Sequence, residues 1–180
     1  MRWNVLFEEL EHQFDLLGGA SIGHTHSAPQ GFIHGLRASL AYAKAHQKTI
    51  RVLMRHSGLL EMRPRTIAKD FVAGTLPSRG VDAVLSARHI VAFQPAASFA
   101  SLDPVEATLD TFLRVWVRGH QPCVVVAEGR DWCGFITEVS DDSIRFSVID
   151  GGGQSEWLLP RASLELVRSL SAAEKEGIDG

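Results

Sequence analysis

The N-terminal part of the chain has apolar residues at the three-and-four spacing of amphipathic helices. Between residues 3 and 17 these positions are Trp3, Leu6, Phe7, Leu10, Phe14 and Leu17. This spacing places them on one stripe of a helix, and Gly18 and Gly19 end it. A terminal helix must bury its stripe, so we expect it to dock on a core or on another subunit. A second helix is predicted from about Gln30 to Ala45.

From residue 50 the pattern changes to short runs rich in β-branched and aromatic residues, separated by turn residues. The first series of strands is predicted at 50–54, 59–67, 71–76, 81–85 and 89–94. Only residues 86–88 connect its last two strands, which predicts one turn of 3₁₀ helix. The series is therefore a meander of five short strands.

A third helix separates this series from a second one. Asp103 is its predicted N-cap and Pro104 its first residue, and Gly119 ends it. The second series of strands is predicted at 123–128, 132–139, 143–149, 155–159 and 164–168. Beyond Leu170 the small, polar residues predict a frayed tail.

The two series echo each other in spacing and apolar pattern. Residues 45–52 match 119–126, and residues 84–93 match 158–167, both at an offset of about 74. Two echoes at one offset predict a duplicated β unit. We therefore divide the chain into a helix and loop (1–29), a helix with the first strand series (30–95), a linker, helix and second series (96–169), and a tail (170–180).

Composition adds a contrast of charge to this repeat. The chain has 180 residues and a net charge of −3. Residues 44–95 hold nine basic and three acidic side chains, giving +6, whereas residues 96–180 hold seven basic and fourteen acidic ones, giving −7. Such an asymmetry indicates either a polyanion-binding face or two surfaces that meet within or between subunits.

No apolar run is long enough to span a membrane, and the N-terminus lacks a signal-peptide pattern. We expect a cytoplasmic protein without a membrane partner.

Chemistry-bearing motifs are sparse. Cys123 and Cys133 lack C-x-x-C spacing, so reduced thiols are favoured over a disulfide or metal site. His24, His26 and His34 are conceivable metal ligands, but without a supporting carboxylate or cysteine we interpret them as loop histidines. The sequence contains neither a nucleotide-binding glycine motif nor a recognisable nucleophile. We expect no cofactor, no metal and no enzymatic activity.

The second strand series carries the features of a known fold. They are Val124-Val125-Val126, Gly129 in the first turn, Gly134 where the second strand must bend, Asp141-Asp142 before the third strand, and residues 157–164 across the fourth and fifth. Five short, bent strands after a helix, with a one-turn break before the last, resemble the Sm/LSm/Hfq barrel, an SH3-like fold. The first series has Met62 to Pro64 in place of the bending glycine.

The start of the chain, Met1-Arg2-Trp3 with Leu6-Phe7 and Leu10-Glu11, is also similar to that of an uncharacterised bacterial family that joins an N-terminal helix to one Sm-like barrel. The fold class implied is α+β, with two tandem five-stranded Sm/SH3-like small barrels, each preceded by a helix, plus an N-terminal amphipathic helix.

The resemblance implies a binding function. Sm-like proteins bind RNA, usually as rings in which the fourth strand of one subunit pairs with the fifth strand of its neighbour. Residues 87–90 resemble the Hfq segment in which a lysine–histidine pair touches uridine-rich RNA, whereas residues 161–164 lack that pair. At most one repeat keeps this chemistry.

The candidate contacts to nucleic acid all lie in the basic repeat. They are Arg51, Arg55, Arg63, Arg65, Arg88 and His89. Strand alternation places Arg63 and Arg65 on one face, where they can neutralise phosphates together. The alternative is a solvated exterior, and it is supported by the shortage of stacking aromatics, because Phe71 and Phe93 lie in apolar runs.

Two functions therefore remain open. The first is an Sm-like module that binds RNA or another nucleic acid through the basic repeat. The second is a structural scaffold whose oppositely charged repeats mediate self-assembly. A homo-oligomer is expected in either case, and the sequence leaves ring and dimer open.

Overall fold

The structure is a computed structural model, and it describes residues 30–95, 106–150 and 153–176. The N-terminal helix predicted for residues 3–17, with His24 and His26, lies outside the described residues.

Three helices and ten strands make up the described part of the chain. The helices are α1 (Gln30–Ala45), α2 (Leu109–Gly119) and α3 (Ala172–Glu176). The strands of the N-terminal half are β1 (Ile50–Met54), β2 (Gly58–Ile67), β3 (Phe71–Leu76), β4 (Val81–Ser86) and β5 (Ile90–Phe93). Those of the C-terminal half are β6 (Cys123–Ala127), β7 (Arg130–Val139), β8 (Ser143–Asp150), β9 (Gly153–Pro160) and β10 (Leu164–Ser169). Single 3₁₀ turns, Ala87–His89 and Arg161–Ser163, precede β5 and β10.

The predicted pair of five-stranded barrels is wrong. All ten strands form one open antiparallel sheet in the order β5-β1-β2-β3-β4-β10-β6-β7-β8-β9. The error lies in the edges, because β4 pairs with β10 and so joins the two series. An exposed, apolar strand edge gains hydrogen bonds and burial by pairing, but strand periodicity does not reveal which edges will meet.

The two halves have the same internal strand order. The N-terminal half reads β5-β1-β2-β3-β4 and the C-terminal half reads β10-β6-β7-β8-β9. The strands β4 and β9 end at Ser86 and Pro160, an offset of 74 (160 minus 86). Each is followed by a 3₁₀ turn and then by β5 or β10 at the same offset. The halves can therefore be compared position by position in this region.

In each half, one glycine lies so close to the neighbouring strand that a side chain would not fit, but the glycine is on a different strand in the two halves. A Cβ on Gly134 of β7 would lie 1.9 Å from the carbonyl oxygen of Ser147. In the N-terminal half the close approach moves to β3, where a Cβ on Gly74 would lie 2.1 Å from the carbonyl oxygen of Arg63. Gly74 faces Pro64 beside a β-bulge, which is a position where a strand tolerates proline.

The core consists of two hydrophobic clusters, and each contains residues from both halves. In one cluster Phe71 of β3 packs against Phe112 of α2, with ring centroids 5.9 Å apart. The other cluster combines α1 and β1–β5 with Val124, Val126 and Leu166 of the C-terminal half. The joint between the halves is thus part of the core.

The helix prediction for residues 30–45 is confirmed, and two others need correction. Helix α2 begins at Leu109, later than Asp103, because the hydroxyl of Thr108 caps it and the Asp70 carboxylate accepts the Leu109 N–H at 3.1 Å. Part of the predicted frayed tail forms α3, which Glu174 ties to Arg168 at 2.7 Å. None of the helices in the described ranges is long and apolar enough to span a membrane.

Candidate functional site

The joint between the two halves is a paired and buried part of the sheet. Strands β4 and β10 pair in antiparallel register, with Leu85 opposite Leu166, Val84 opposite Val167 and Ala83 opposite Arg168. Every one of these six residues is buried. The joint therefore combines backbone hydrogen bonds with a continuous apolar contact.

A buried carboxylate fastens one end of this joint. Glu165 of β10 is 0% exposed and accepts four hydrogen bonds from the turn between β1 and β2. Its Oε1 accepts from the backbone N–H of His56 at 2.9 Å and lies 2.8 Å from His56 Nδ1. Its Oε2 accepts from the backbone N–H and the hydroxyl of Ser57 at 3.0 and 2.7 Å. A carboxylate so buried is stable only because donors surround it.

The pKa of Glu165 reflects this competition. Burial, the largest single influence, acts to raise it, whereas hydrogen bonds from Ser57 and His56 act to lower it. Together these bonds prevail, and the pKa of the carboxyl lies below its ordinary value of 4.5. Glu165 is thus held as an anion within the joint.

His89, a predicted RNA contact, is part of the same joint. It is buried, and its Nε2 lies 2.8 Å from the carbonyl oxygen of Ala162 in the second 3₁₀ turn. Its Nδ1 lies 3.9 Å from Glu165 Oε1 and has no hydrogen-bond partner among the described residues. His89 therefore faces the other half of the chain and is not a surface residue.

The five candidate arginines are exposed, but they do not form one cluster. Arg55 and Arg88 flank the joint, since the Arg55 N–H donates to the carbonyl oxygen of His89. Arg51, Arg63 and Arg65 lie on β1 and β2. Acidic side chains are interleaved with this second group. Glu61 lies 2.7 Å from Arg51, and Asp82 lies 4.0 Å from Arg65.

The end strands β5 and β9 have, in their own halves, the places that β10 and β4 have at the joint. Residues 74 positions apart can therefore be compared. Among the described residues, β5 pairs only with β1, and β9 only with β8. Glu165 is 0% exposed, but its counterpart Val91 on β5 is 47% exposed. Ala83 and Val84 are 0% and 1% exposed, but their counterparts Trp157 and Leu158 on β9 are 49% and 66% exposed. Both end strands thus present apolar side chains beside a backbone edge that no other described strand pairs with.

The sequence reasoning did not identify these residues as a site. One signal for Glu165 was available, because it is a lone acid within an apolar strand and its repeat counterpart is Val91. Leu158 was also visible in the sequence as part of the apolar run Trp157-Leu158-Leu159. Their exposure, however, depends on which strand lies at the edge of the sheet.

Comparisons with family models, curated proteins and solved structures gave no match to this chain. The resemblance to Sm-like proteins therefore stays a prediction, and the site is interpreted from its own residues.

Proposed function

We propose that this protein is a non-enzymatic structural module that self-assembles through β5 and β9, the two end strands of the sheet in the described part of the chain. The observation that carries the proposal is the contrast between the buried joint and the exposed end strands. Glu165, Ala83 and Val84 are buried where β4 meets β10, whereas Val91, Trp157 and Leu158 at the matching positions of β5 and β9 are 47%, 49% and 66% exposed, although Leu159, which matches Leu85, is buried. Soluble proteins usually protect such edges with lysine, proline or a covering loop.

The chemistry of the end strands supports this function. Strand β5 has the sequence Ile-Val-Ala-Phe and carries no charge. Strand β9 has one acid, Glu156, and its proline lies at the last position. Trp157 is a side chain of the type that supplies energy at protein interfaces, and covering Leu158 would remove apolar surface from water. A second polypeptide strand would cover them and satisfy the edge at once.

The test is the molar mass in solution as a function of protein concentration, measured by light scattering after size exclusion. We expect masses above the 19.7 kDa of one chain, shifting to 19.7 kDa in Val91→Lys and in Leu158→Lys. Leu59→Lys is the matched control, because Leu59 is 64% exposed but lies on an inner strand. A wild-type protein that stays monomeric at all attainable concentrations would refute self-assembly.

Nucleic-acid binding is the second candidate, and one observation favours it. Arg63 and Arg65 are exposed at alternate positions of β2, with Met62 and Pro64 buried between and beside them. Two guanidinium groups on one face suit neighbouring phosphates. The carboxylates of Glu61 and Asp82 lie among these arginines and weaken their positive electrostatic field. For this reason the function ranks second.

Fluorescence anisotropy with labelled single-stranded RNA, duplex RNA and duplex DNA at two salt concentrations tests it. If the pair neutralises phosphates, replacing both arginines with alanine weakens binding and lowers the slope of log affinity against log salt by about two. Arg145→Ala is the control, because Arg145 is similarly exposed but lies in the acidic half. Equal binding by the double variant would remove Arg63 and Arg65 from the site.

A further inference from the structure

An arginine lies in an apolar row of the sheet. Arg168 of β10 is opposite Ala83 of β4 on one side and opposite Val124 of β6 on the other. Val124 is in turn opposite Cys133 of β7, so these four side chains lie on one face of the sheet. Ala83 and Val124 belong to the cluster that contains α1, and the Arg168 side chain is only 4% exposed. A guanidinium group removed from water in this way requires an anion beside it.

That anion is supplied by the short helix that follows β10. The Glu174 carboxylate of α3 accepts hydrogen bonds from both terminal nitrogens of Arg168, from Nη1 to Oε2 at 2.8 Å and from Nη2 to Oε1 at 2.7 Å. This two-point contact is the geometry by which arginine recognises a carboxylate. Hydrogen bonds from Arg168 and Ser171 lower the pKa of Glu174 to about 2, although burial acts to raise it. Glu174 is therefore ionised at neutral pH.

The start of α3 holds this carboxylate in a fixed position. The Ser171 N–H and hydroxyl both donate to Glu174 Oε2 at 2.8 Å, and the Glu174 N–H donates to the Ser171 hydroxyl oxygen at 3.4 Å. These contacts form the reciprocal capping box of a helix N-terminus. The donors of Ser171 thus belong to α3 itself, and the group on the sheet that receives the carboxylate is Arg168.

Among the described side chains of α3, Glu174 is the one that is not fully exposed. Ala172 and Ala173 are exposed, and α3 is five residues long, which is too short for a stable isolated helix. The Glu174 side chain is 37% exposed and that of Arg168 only 4%, so the carboxylate closes the opening between the guanidinium and solvent. One donor is left unused, because Arg168 Nε is buried without a hydrogen-bond partner among the described residues.

From these contacts we infer that Arg168 is the centre of a carboxylate-binding site, and that α3 is a lid that fills this site with its own Glu174. When α3 leaves, the guanidinium stays in the apolar row and requires another anion. A ligand with a carboxylate reproduces the two-point contact, and the unused Nε can donate to a further acceptor of the same ligand. Ligand binding and closure of α3 therefore exclude each other. This inference is independent of the proposed self-assembly.

Titration of Glu174→Ala with acetate tests the receptor. The readout is the Arg168 Nε–H signal in nitrogen–proton NMR spectra, with the ionic strength held constant by chloride. We expect a saturable shift and an affinity at least about tenfold higher than in wild type, where the tethered carboxylate competes at a high effective concentration. Glu138→Ala is the matched control, because Glu138 is exposed and pairs with Arg145, and it should behave as wild type. Glu174→Gln is the second variant, in case Glu174→Ala disturbs the fold.

A peptide with the sequence of residues 171–174, Ser-Ala-Ala-Glu, separates two sources of the carboxylate. Tighter binding of this peptide than of acetate to Glu174→Ala, lost when the peptide ends in glutamine, would support the site and assign it to acidic segments of proteins. Tighter binding of acetate would support it as a site for small carboxylates. In wild type, ligand in large excess should shift the amide signals of Ala172 and Ala173 towards those of an unstructured chain.

Three results would overturn the inference. Equal acetate affinity in wild type and Glu174→Ala would mean that Glu174 does not occupy the site. Absence of a saturable shift in both Glu174→Ala and Glu174→Gln, with their circular dichroism unchanged from wild type, would mean that Arg168 accepts no external carboxylate. Wild-type amide signals of Ala172 and Ala173 that never move, at concentrations far above those that saturate Glu174→Ala, would make α3 a permanent part of the fold.

Discussion

Glu165 and Val91 occupy equivalent positions, yet one is a buried anion and the other an exposed apolar side chain. The difference follows from what each meets. Glu165 meets the donors of His56 and Ser57 within the chain, whereas Val91 lies at an edge with no partner strand among the described residues. The residue at this repeated position thus differs with its surroundings: it is a carboxylate where hydrogen-bond donors face it, and an apolar side chain at the end of the described sheet.

Replacing Glu165 with the residue of the other repeat should be costly. In Glu165→Val the backbone N–H groups of His56 and Ser57 and the Ser57 hydroxyl lose their acceptor. We expect the free energy of unfolding in urea to fall by about 3 kcal/mol, because buried donors would be left unsatisfied. Glu138→Val is the control, since Glu138 is largely exposed, and it should change stability by less than about 0.5 kcal/mol. Equal effects of the two variants would contradict the role of Glu165.

The contribution of Glu165 should also depend on pH in a defined direction. Burial acts to raise its pKa, but the hydrogen bonds from Ser57 and His56 together lower it by more, so the folded pKa is below 4.5. A carboxyl of this kind stabilises fully above its unfolded pKa and loses that effect as pH falls through the folded value. The difference in unfolding free energy between wild type and Glu165→Gln should therefore be constant down to about pH 5 and shrink below pH 4.5. A difference that grows on acidification would contradict this assignment.

At the scale of elements, each half has one place where a glycine brings two neighbouring strands unusually close. Gly134 of β7 faces Val148 of β8, and Gly74 of β3 faces Pro64 of β2. Both glycines approach the opposite backbone so closely that no side chain fits. The close approach of two backbones is thus made on different strands in the two halves.

Adding a methyl group at Gly134 should be among the most damaging small substitutions. In Gly134→Ala the new carbon would lie 1.9 Å from the Ser147 carbonyl oxygen, so β7 and β8 must separate. We expect a loss of about 3 kcal/mol in unfolding free energy. Gly31→Ala is the control, because nothing lies within 4 Å of its added carbon and alanine favours helix. A tolerated Gly134→Ala would mean that the two strands are not held this closely.

Local patterns predicted the elements well and their assembly poorly. The runs at 50–54, 71–76 and 143–149 were readable as strands because turn residues bound them on both sides. The glycine at 134 was readable as a bend. The pairing of β4 with β10 was not, because paired residues at least 81 positions apart (166 minus 85) carry no local signal of each other. Exposure at the sheet ends, and with it the candidate site, depends on that pairing.

At the scale of the whole molecule, the shared core implies that the two halves unfold together. Both hydrophobic clusters contain residues of both halves, so removing one half would expose the core of the other. The division of the chain into the units 30–95 and 96–169 stays a prediction until the cooperativity of unfolding is measured. Tryptophan provides the probe, because Trp116, Trp132 and Trp157 all lie in the C-terminal half. The fourth tryptophan, Trp3, can be removed by Trp3→Phe.

In that background, Met62→Ala tests the coupling. Met62 is fully buried in the N-terminal half, and its truncation should cost about 2–5 kcal/mol. If the halves form one cooperative unit, urea unfolding followed by tryptophan fluorescence shifts as far as unfolding followed by far-ultraviolet circular dichroism. Leu59→Ala, at an exposed position, should shift neither curve appreciably. If Met62→Ala instead splits the dichroism curve and leaves the fluorescence midpoint unchanged, the joint between β4 and β10 does not couple the halves.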